Sequence, residues 1–302
     1  MSESQTILIT GASGLIGSAL TKALEADGHK VLRAVRENVQ NPQEEIHWSP
    51  VLEEIDQQKL EGIDSIVHLA GANIAGKRWT ESYKKQILES RTKGTSLISE
   101  AIAKMQRKPR AFVCASAIGY YGDRGTTELD ETSSPGGDFL AEVCLQWERA
   151  SLPAQEAGIR TVNTRIGVVL SPNGGALKTM LLPFKMGVGG VIGDGKQSMS
   201  WIALDDVVGA MQFALAHDTL SGPVNLVSPE WVTNREFTKT LGKVLGRPTV
   251  LPMPAFAAKL AFGEMAEALL LSSTRVIPQR LVAEGFAFQY PQLKTALEHL
   301  LK

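Results

Sequence analysis

Glycines at positions 11, 14 and 17 carry the clearest chemical signal in the sequence. They lie in the segment Thr-Gly-Ala-Ser-Gly-Leu-Ile-Gly, residues 10–17, between a short β-branched run and a stretch with helical spacing of apolar side chains. In that setting the first glycine permits a tight turn, the second lets the backbone approach a pyrophosphate, and the third lets helix and strand pack closely. Free N–H groups at the start of the helix attract phosphate oxygens. The segment therefore predicts a dinucleotide-binding turn rather than a merely structural one.

The end of the second predicted strand bears on which dinucleotide would bind. An acid there accepts hydrogen bonds from the ribose 2′-OH of NAD, whereas an arginine accommodates the 2′-phosphate of NADP. The sequence reads Arg33-Ala34-Val35-Arg36, without an acid. We therefore expect NADP(H) as the cofactor, with Arg36 pairing the phosphate. The alternative is that Arg36 is a solvated surface charge and that Glu37 binds the ribose.

Short apolar runs alternate with helical segments over the first three quarters of the chain. This alternation predicts an α/β fold, a Rossmann-type doubly wound parallel sheet covered on both faces. Strands are predicted at residues 6–10, 30–35, 65–70, 111–116, 161–169 and 223–227, and helices at residues 82–105 and 142–157.

The last third of the sequence changes character. Residues 236–245 and 254–271 have helical periodicity, and no long strand is evident after residue 227. We therefore expect a smaller, mostly helical C-terminal lobe. The predicted division is an NADP-binding Rossmann domain of residues 1–181 and 201–228, and a substrate-side lobe of residues 182–200 and 229–302.

Composition and charge exclude several functional classes. The 302 residues include 31 Lys and Arg against 32 Asp and Glu, a net charge of -1, which lacks the positive field that nucleic-acid binding needs. No run approaches the roughly 18 apolar residues of a membrane span, and the first residues lack the basic and apolar parts of a signal peptide. We expect a cytoplasmic protein with a small-molecule substrate and without a nucleic-acid or membrane partner. Homo-oligomerisation is left open.

The cysteines and histidines do not form a metal-binding pattern. Cys114 and Cys144 lie inside apolar segments, which favours reduced core thiols over a disulfide or a metal site. The five histidines show no pairing at metal-ligand spacing. We expect no metal.

Several further motifs carry a family resemblance when taken with the glycine turn. They are His68-Leu69-Ala70-Gly71, the segment Ser-Ala-Ile-Gly-Tyr-Tyr-Gly at residues 116–122, Gly-Gly-Asp-Phe at residues 136–139, Trp147-Glu148, Trp-Ile-Ala-Leu-Asp-Asp-Val at residues 201–207, and Val-Ile-Pro-Gln-Arg at residues 276–280. Together they resemble the extended and atypical short-chain dehydrogenase/reductases. More closely, the chain is similar from end to end to the YfcH-like epimerase family proteins of that superfamily.

This resemblance implies a set of cofactor contacts. They are Gly11, Ser13, Gly14, Leu15, Ile16 and Gly17 at the phosphate turn, Arg36 at the 2′-phosphate, and Leu69, Ala70 and Gly71 at the end of the strand predicted at residues 65–70. Arg91 stands where many extended members carry an asparagine, three residues before a Gly-Thr pair. It is either a further cofactor contact or a helix-surface arginine.

The catalytic residues of the superfamily are not in their usual places. Its proton shuttle is a tyrosine four residues before a lysine, whose ammonium lowers the phenol pKa from about 10. The segment where that pair should lie, residues 138–144, contains neither residue. The nearest substitute is Tyr120, with Arg124 at the same spacing, and Tyr121 follows it. The slot of the substrate-polarising serine holds Ala117, which leaves Ser116 one position earlier.

A further departure concerns the substrate. In nucleotide-sugar epimerases of the superfamily an arginine follows the loop corresponding to residues 193–197 and pairs the sugar diphosphate. Met199 stands there instead, and with Trp201 it predicts a more apolar pocket wall. The resemblance thus makes a nucleotide-sugar substrate less favoured.

Two functions follow as hypotheses. The first is an NADP(H)-dependent oxidoreductase or epimerase of a small carbonyl or alcohol substrate, with Ser116, Tyr120 and Tyr121 as candidate catalytic residues. The second is an NADP(H)-binding sensor or interaction module without turnover, because the tyrosine-lysine pair is missing from its place.

Overall fold

The structure is a computed structural model that describes residues 4–37 and 39–302. Its centre is an eight-stranded sheet in the order β12-β8-β6-β5-β1-β2-β3-β4, in which every neighbouring pair is parallel except β3 and β4. The strands are β1 (Thr6–Thr10), β2 (Lys30–Val35), β3 (Glu45–Ser49), β4 (Glu54–Ile55), β5 (Ser65–His68), β6 (Ala111–Ala117), β8 (Arg160–Ile166) and β12 (Gly222–Leu226). The predicted doubly wound parallel sheet is confirmed.

Alternation of apolar side chains along the strands produces a core on each face of this sheet. Ile7 and Ile9 of β1 pack into one apolar cluster, whereas Leu8 between them packs into the other. The flanking helices are α1 (Leu15–Ala26), α2 (Gln57–Leu60), α3 (Glu81–Ala103), α4 (Phe139–Arg149), α5 (Leu152–Glu156) and α7 (Leu204–Ala216). Both faces are therefore buried, as the continuous apolar strands require.

The remaining elements are short strands and the C-terminal helices. The short strands are β7 (Glu128–Leu129), β9 (Val168–Leu170), β10 (Ser198–Met199), β11 (Trp201–Ala203), β13 (Val232–Thr233) and β14 (Arg275–Val276). The helices are α6 (Gly175–Lys185), α8 (Asn234–Leu245), α9 (Ala255–Phe262), α10 (Glu264–Ala266), α11 (Gln279–Ala283) and α12 (Leu293–Leu301), with a 3-10 turn at Ile118–Tyr121 and a π turn at Glu267–Leu271. The C-terminal region is mostly helical, as predicted.

Three predicted elements are interrupted in the structure. The strand expected at residues 161–169 breaks at Gly167, where a Cβ would lie 2.7 Å from a methyl of Val227. The helix expected at residues 142–157 begins earlier, at Phe139, and ends at Arg149. A second helix, α5, begins at Leu152 with a proline in its first turn. The helix expected at residues 254–271 breaks at Gly263, whose φ of 63° lies in the left-handed region.

The division of the chain into two domains stays a prediction. One apolar cluster combines side chains from both predicted parts, among them Leu170 and Leu177 with Phe237 and Leu297.

Trp201 is fully buried in this cluster and Met199 packs against it. Trp201 therefore belongs to the core, and the expectation that it forms a pocket wall is wrong.

Candidate functional site

The glycine turn joins the end of β1 to the start of α1 in a conformation that only glycines fit. Gly11 has a φ of 70°, and a Cβ on it would lie 3.0 Å from the backbone of Leu69 and Ala70. A Cβ on Gly17 would lie 2.2 Å from the carbonyl oxygen of Gly11, which is inside van der Waals contact. The amide of Gly14 donates to that same oxygen at 2.9 Å. The turn is thereby packed against both the first helix and the segment after β5.

The first turn of α1 has no side-chain cap for its amides. Gly14 is the N-cap residue and supplies no side chain to satisfy them, and the first turn of α1 contains no acid. The first N–H groups of a helix have no partner within the helix, and the positive end of the helix dipole favours an anion. Ser13 and Gly14 are exposed beside them. This end of α1 can receive a diphosphate.

Thr10 and His68 lock the ends of β1 and β5 together. The Thr10 hydroxyl lies 2.7 Å from Nδ1 of His68 and accepts hydrogen bonds from the amides of Leu69 and Ala70 at 3.2 and 3.3 Å. Complete burial lowers the pKa of His68 to about 3, so the imidazole is neutral and its Nδ1 can accept the Thr10 proton. This contact fixes Leu69, Ala70 and Gly71 beside the glycine turn.

The two arginines at the end of β2 differ in their partners. Arg33 is paired with Glu44 at 2.9 Å and approaches Glu45 at 3.6 Å. Arg36 is exposed and forms no ion pair with any residue in the described part of the chain. Glu37, also exposed, has no ion-pair partner within residues 4–37 and 39–302 either. The end of the strand thus presents one cation and one anion that other side chains do not neutralise.

Arg91 on α3 reaches across to the end of β5. Its guanidinium would lie 3.4 Å from a Cβ on Gly71, donates to the carbonyl of Ile87 at 3.1 Å, and lies over the ring of Trp147 at 4.9 Å. Burial lowers its pKa, and within the described residues it has no carboxylate partner. A half-buried cation without a counter-charge can bind a ligand oxygen or phosphate. The geometry favours the cofactor-contact alternative over a surface arginine.

Ser116 and Tyr121, two candidate catalytic residues, belong to one buried polar network. Ser116 donates to Glu148 at 2.7 Å, and Glu148 receives two further hydrogen bonds from Arg165, at 2.8 and 2.9 Å. Arg165 also donates to the Tyr121 hydroxyl at 3.0 Å, which in turn donates to Asn225 at 2.7 Å. The network ties β6, β8, β12 and α4 together at the carboxyl ends of the strands.

Burial fixes the protonation of this network. Ser116 and Arg165 are only 2% and 3% exposed, and Tyr121 is fully enclosed. Burial raises the pKa of Tyr121 to about 12 even though the Arg165 guanidinium opposes that shift, so the phenol keeps its proton. Although burial works to lower it, the pKa of Arg165 is raised by its bonds to Glu148. Neither Ser116 nor Tyr121 therefore has a free proton-transfer group in this arrangement.

Tyr120 is the candidate whose hydroxyl is not engaged. It is half-buried, its ring lies 3.4 Å from the Arg165 guanidinium, and its hydroxyl has no hydrogen-bond partner among the described residues. Arg124, which has the lysine's spacing from Tyr120, forms no hydrogen bond with it. Arg124 instead donates to backbone carbonyls of Tyr121, Ser134 and Pro135 and holds the loop after β6.

Apolar and thiol side chains occupy the place where the superfamily carries its tyrosine-lysine pair. A Cβ on Gly119 would lie 3.2 Å from Leu140 and 3.7 Å from Sγ of Cys144, and burial raises the pKa of this thiol to about 12. One tyrosine-lysine spacing that the sequence analysis passed over does exist, at Tyr290 and Lys294. It does not supply the shuttle, because Tyr290 stacks on His299 at 4.2 Å and Lys294 pairs with Glu298.

The described residues contain neither a metal-binding cluster nor a membrane-spanning helix. Residues 4–37 and 39–302 contain no group of three or more His, Cys, Asp or Glu side chains that could hold a metal ion. In that same part of the chain no helix is both long and apolar enough to span a bilayer.

Comparison with known proteins places the chain in a family. Residues 7–226 match the NAD dependent epimerase/dehydratase family, and residues 253–300 match a domain of unknown function, DUF1731. The epimerase family protein Mb2239 of Mycobacterium bovis is 46% identical over 96% of both chains. The human epimerase family protein SDR39U1 is 38% identical over 98% of this chain and 99% of its own.

Solved structures agree with the sequence comparison. A crystal structure of human SDR39U1 (isoform 2) with NADPH superposes with a TM-score of 0.89 at 35% identity, covering 98% of each chain. The predicted resemblance to the extended short-chain dehydrogenase/reductases is thereby confirmed. The chain belongs to the NAD dependent epimerase/dehydratase family.

Proposed function

We propose that this protein binds NADP(H) across the carboxyl ends of β1, β2 and β5 and uses it to interconvert a small carbonyl compound and its alcohol. The observation that carries the proposal is the glycine turn, where Cβ atoms on Gly11 and Gly17 would collide with backbone. These glycines leave a cradle that a diphosphate fills. The NADPH in the human SDR39U1 structure supports the same assignment.

Separate side chains would hold the two ends of the cofactor. The amides at the start of α1, which have no side-chain cap, would take the diphosphate. Arg36, which carries no competing ion pair within the described chain, would bind the 2′-phosphate. Arg91, half-buried against Gly71, would bind oxygens nearer the nicotinamide. The bound cofactor would supply hydride transfer, and the protein would supply position and charge.

The surroundings of the β6 end bear on the substrate. Ala117, Leu140 and Cys144 supply no proton-transfer group there, because the thiol is buried and keeps its proton. A small carbonyl compound is favoured over a nucleotide sugar, because Met199 stands where nucleotide-sugar epimerases carry the arginine that pairs the sugar diphosphate. Tyr120 would be the proton donor or acceptor, because its hydroxyl is free of other partners within the described chain. Ser116 and Tyr121 would position the β6 end through Glu148 and Arg165 rather than transfer protons.

A second function is favoured by one specific observation. The Ser116 hydroxyl donates its hydrogen bond to Glu148, and Ala117 occupies the position of the superfamily's substrate-polarising serine. A site whose serine is not free to polarise a carbonyl group suits a protein that binds NADP(H) and signals its redox state without turnover. The two functions share the cofactor and differ in catalysis.

Two measurements test these functions in sequence. Calorimetric titration of the cofactor-stripped protein with NADPH and with NADH tests binding, and NADPH is expected to bind at least tenfold more tightly, about 1.4 kcal/mol. A panel of small aldehydes and ketones then tests consumption of NADPH by absorbance. Turnover that Tyr120→Phe reduces would support the oxidoreductase; binding without turnover would support the sensor. Absence of binding to either nucleotide would refute both.

A further inference from the structure

Charge is distributed unevenly along the chain. The stretches from α6 to β10 and from β13 to α9, residues 175–199 and 232–262, contain eight Lys and Arg against two Asp and Glu, a net charge of +6. The rest of the chain contains 23 Lys and Arg against 30 Asp and Glu, a net charge of -7. The total of -1 therefore averages two parts of opposite sign. Charge asymmetry of this kind indicates contact with a polyanion.

Helix α8 carries the largest group of these cations on its solvent side. Arg235, Lys239 and Lys243 recur at every fourth residue of α8, and Arg247 follows at the same spacing just beyond its end. All four are exposed. Residues four apart are neighbours on one side of a helix. The four cations therefore form a row about 18 Å long.

A lysine extends this row at the start of α8. The amide of Arg235 donates to the carbonyl of Gly195 at 3.0 Å, and its guanidinium donates to the carbonyl of Asp194 at 2.8 Å. Lys196, the next residue of that loop, is exposed. These contacts place Lys196 beside Arg235.

A second lysine extends the row beyond the end of α8. A Cβ on Gly187 would lie 3.7 Å from the ring of Pro248, so the end of α6 lies against the segment that follows α8. Lys185, in the last turn of α6, is exposed there. We call the six cations together the α8 basic face: Lys185, Lys196, Arg235, Lys239, Lys243 and Arg247.

No carboxylate in the described part of the chain pairs with the α8 basic face. The two acids nearest in sequence bond elsewhere: Glu236 accepts hydrogen bonds from the amide and hydroxyl of Thr233, and Asp194 accepts one from the amide of Lys196. Glu298, on the neighbouring α12, pairs with two lysines of its own segment. The positive charge of the face is therefore not neutralised by the protein itself.

The side-chain types of the α8 basic face favour lipid headgroups over a nucleic acid. Four of the six cations are lysines, whose compact charges sit on flexible stems, whereas arginine forks are preferred for nucleic-acid recognition. Single-stranded nucleic acids also stack their bases on aromatic rings. The aromatic residues of α6 and α8 are Phe184 and Phe237, which are only 6% and 2% exposed. Clusters of about four to eight Lys and Arg on an amphipathic helix are typical of binding to anionic lipid.

We propose that the protein attaches peripherally to an anionic membrane surface, with the α8 basic face against the lipid phosphates. The rest of the chain, with its net charge of -7, would be repelled by the same surface, so the protein would bind in one orientation. The expected absence of a membrane partner rests on the total charge, which hides this asymmetry. None of the proposed cofactor contacts belongs to the face, so attachment does not depend on the proposed function.

Flotation of the full chain with lipid vesicles tests this proposal. The wild type is expected to float with vesicles of phosphatidylcholine and phosphatidylglycerol but not with phosphatidylcholine alone. It should be released between about 0.1 and 1 M salt, because the Debye length falls from about 10 to 3 Å.

Charge reversal at two residues tests the face itself. Lys243→Glu with Arg247→Glu should weaken vesicle binding by on the order of twentyfold or more, because each Lys or Arg near an anionic surface contributes about fivefold, equivalent to about 1 kcal/mol. The single variant Lys243→Gln should weaken it by about fivefold. Both side chains are exposed and make no hydrogen bond or ion pair with the described residues, so the variants should fold, and circular dichroism checks this.

The matched control is Lys22→Glu with Lys30→Glu. It makes the same change in total charge at two exposed lysines outside the face. We expect this control to float as the wild type does, because it leaves all six cations of the α8 basic face in place.

Four results would overturn the proposal. One is a wild-type protein that floats with neither kind of vesicle, and another is flotation that does not require phosphatidylglycerol. A third is vesicle binding that the Lys243 and Arg247 variants leave unchanged, or that the control loses equally. The fourth is a wild type that ignores vesicles but binds a fluorescent oligonucleotide through these two residues, which would assign the face to a nucleic acid.

Discussion

The hydroxyl of Ser116 donates a hydrogen bond of 2.7 Å to the carboxylate of Glu148, and that contact changes the interpretation of the catalytic residues. Ser116 stands beside Arg165 in the register of β6 and β8, and both side chains meet the same carboxylate. Tyr121 joins them from the other side of Arg165. Two of the three candidates for proton transfer, Ser116 and Tyr121, thus hold the strand ends in place. Tyr120 alone of the three keeps an unengaged hydroxyl within the described chain.

Tyr121→Phe should lower the free energy of unfolding and have a smaller effect on the affinity for NADPH. The loss leaves Asn225 and Arg165 each without one buried partner, which costs about 1–3 kcal/mol. Urea denaturation measures the free energy of unfolding, and NADPH titration measures the affinity. The matched control is Tyr120→Phe, which removes a hydroxyl with no partner in the described chain and should change stability little. Equal losses of stability in the two variants would contradict the network.

An alanine at position 17 should abolish cofactor binding. Its Cβ would lie 2.2 Å from the Gly11 carbonyl oxygen, so the phosphate turn must open. Overpacking of this kind costs about 1–3 kcal/mol, and thermal unfolding should detect it alongside the loss of binding. Gly137→Ala is the control, because a Cβ there meets nothing within 4 Å. If Gly17→Ala bound NADPH normally, the turn would not be the phosphate site.

Stability should fall on acidification below pH 6.5 because of His68. The unfolded chain takes up a proton near the ordinary pKa of 6.5, whereas the folded chain resists it down to about 3. The unfolded state therefore binds more protons in this range, and stability decreases by about 1.4 kcal/mol per pH unit as pH falls.

His68→Asn isolates this contribution. The asparagine keeps a polar atom near Thr10 but does not titrate, so the difference between wild type and variant removes the effects of other groups. Burial of Glu131 and Asp206 raises their pKa values and so acts in the opposite direction. Denaturation midpoints measured from pH 7 to pH 5 should converge as pH falls. Parallel pH profiles for the two proteins would show that His68 does not titrate on unfolding.

Local sequence determines much of the fold and of the phosphate turn. Strand β1 is predicted at its observed bounds, and the turn with the helix that follows it is predicted from glycine chemistry and the spacing of apolar side chains. The antiparallel edge strand β4 was missed because two residues carry no periodicity. The roles of Ser116 and Tyr121 depend on Glu148, Arg165 and Asn225, which lie up to 104 residues away in sequence. Such partners are set by strand order, which local patterns do not encode.

The most direct test of NADP(H) binding compares Arg33, which lies in β2, with Arg36, which follows the strand. Wild type, Arg36→Gln and Arg33→Gln are each titrated with NADPH and with NADH in a calorimeter. Arg36→Gln should weaken NADPH binding by about tenfold or more and leave NADH binding unchanged, which removes the preference for NADPH. Arg33→Gln should keep it, because that guanidinium is already paired with Glu44. A preference for NADPH that survives Arg36→Gln, or equal wild-type affinities for the two nucleotides, would contradict the account.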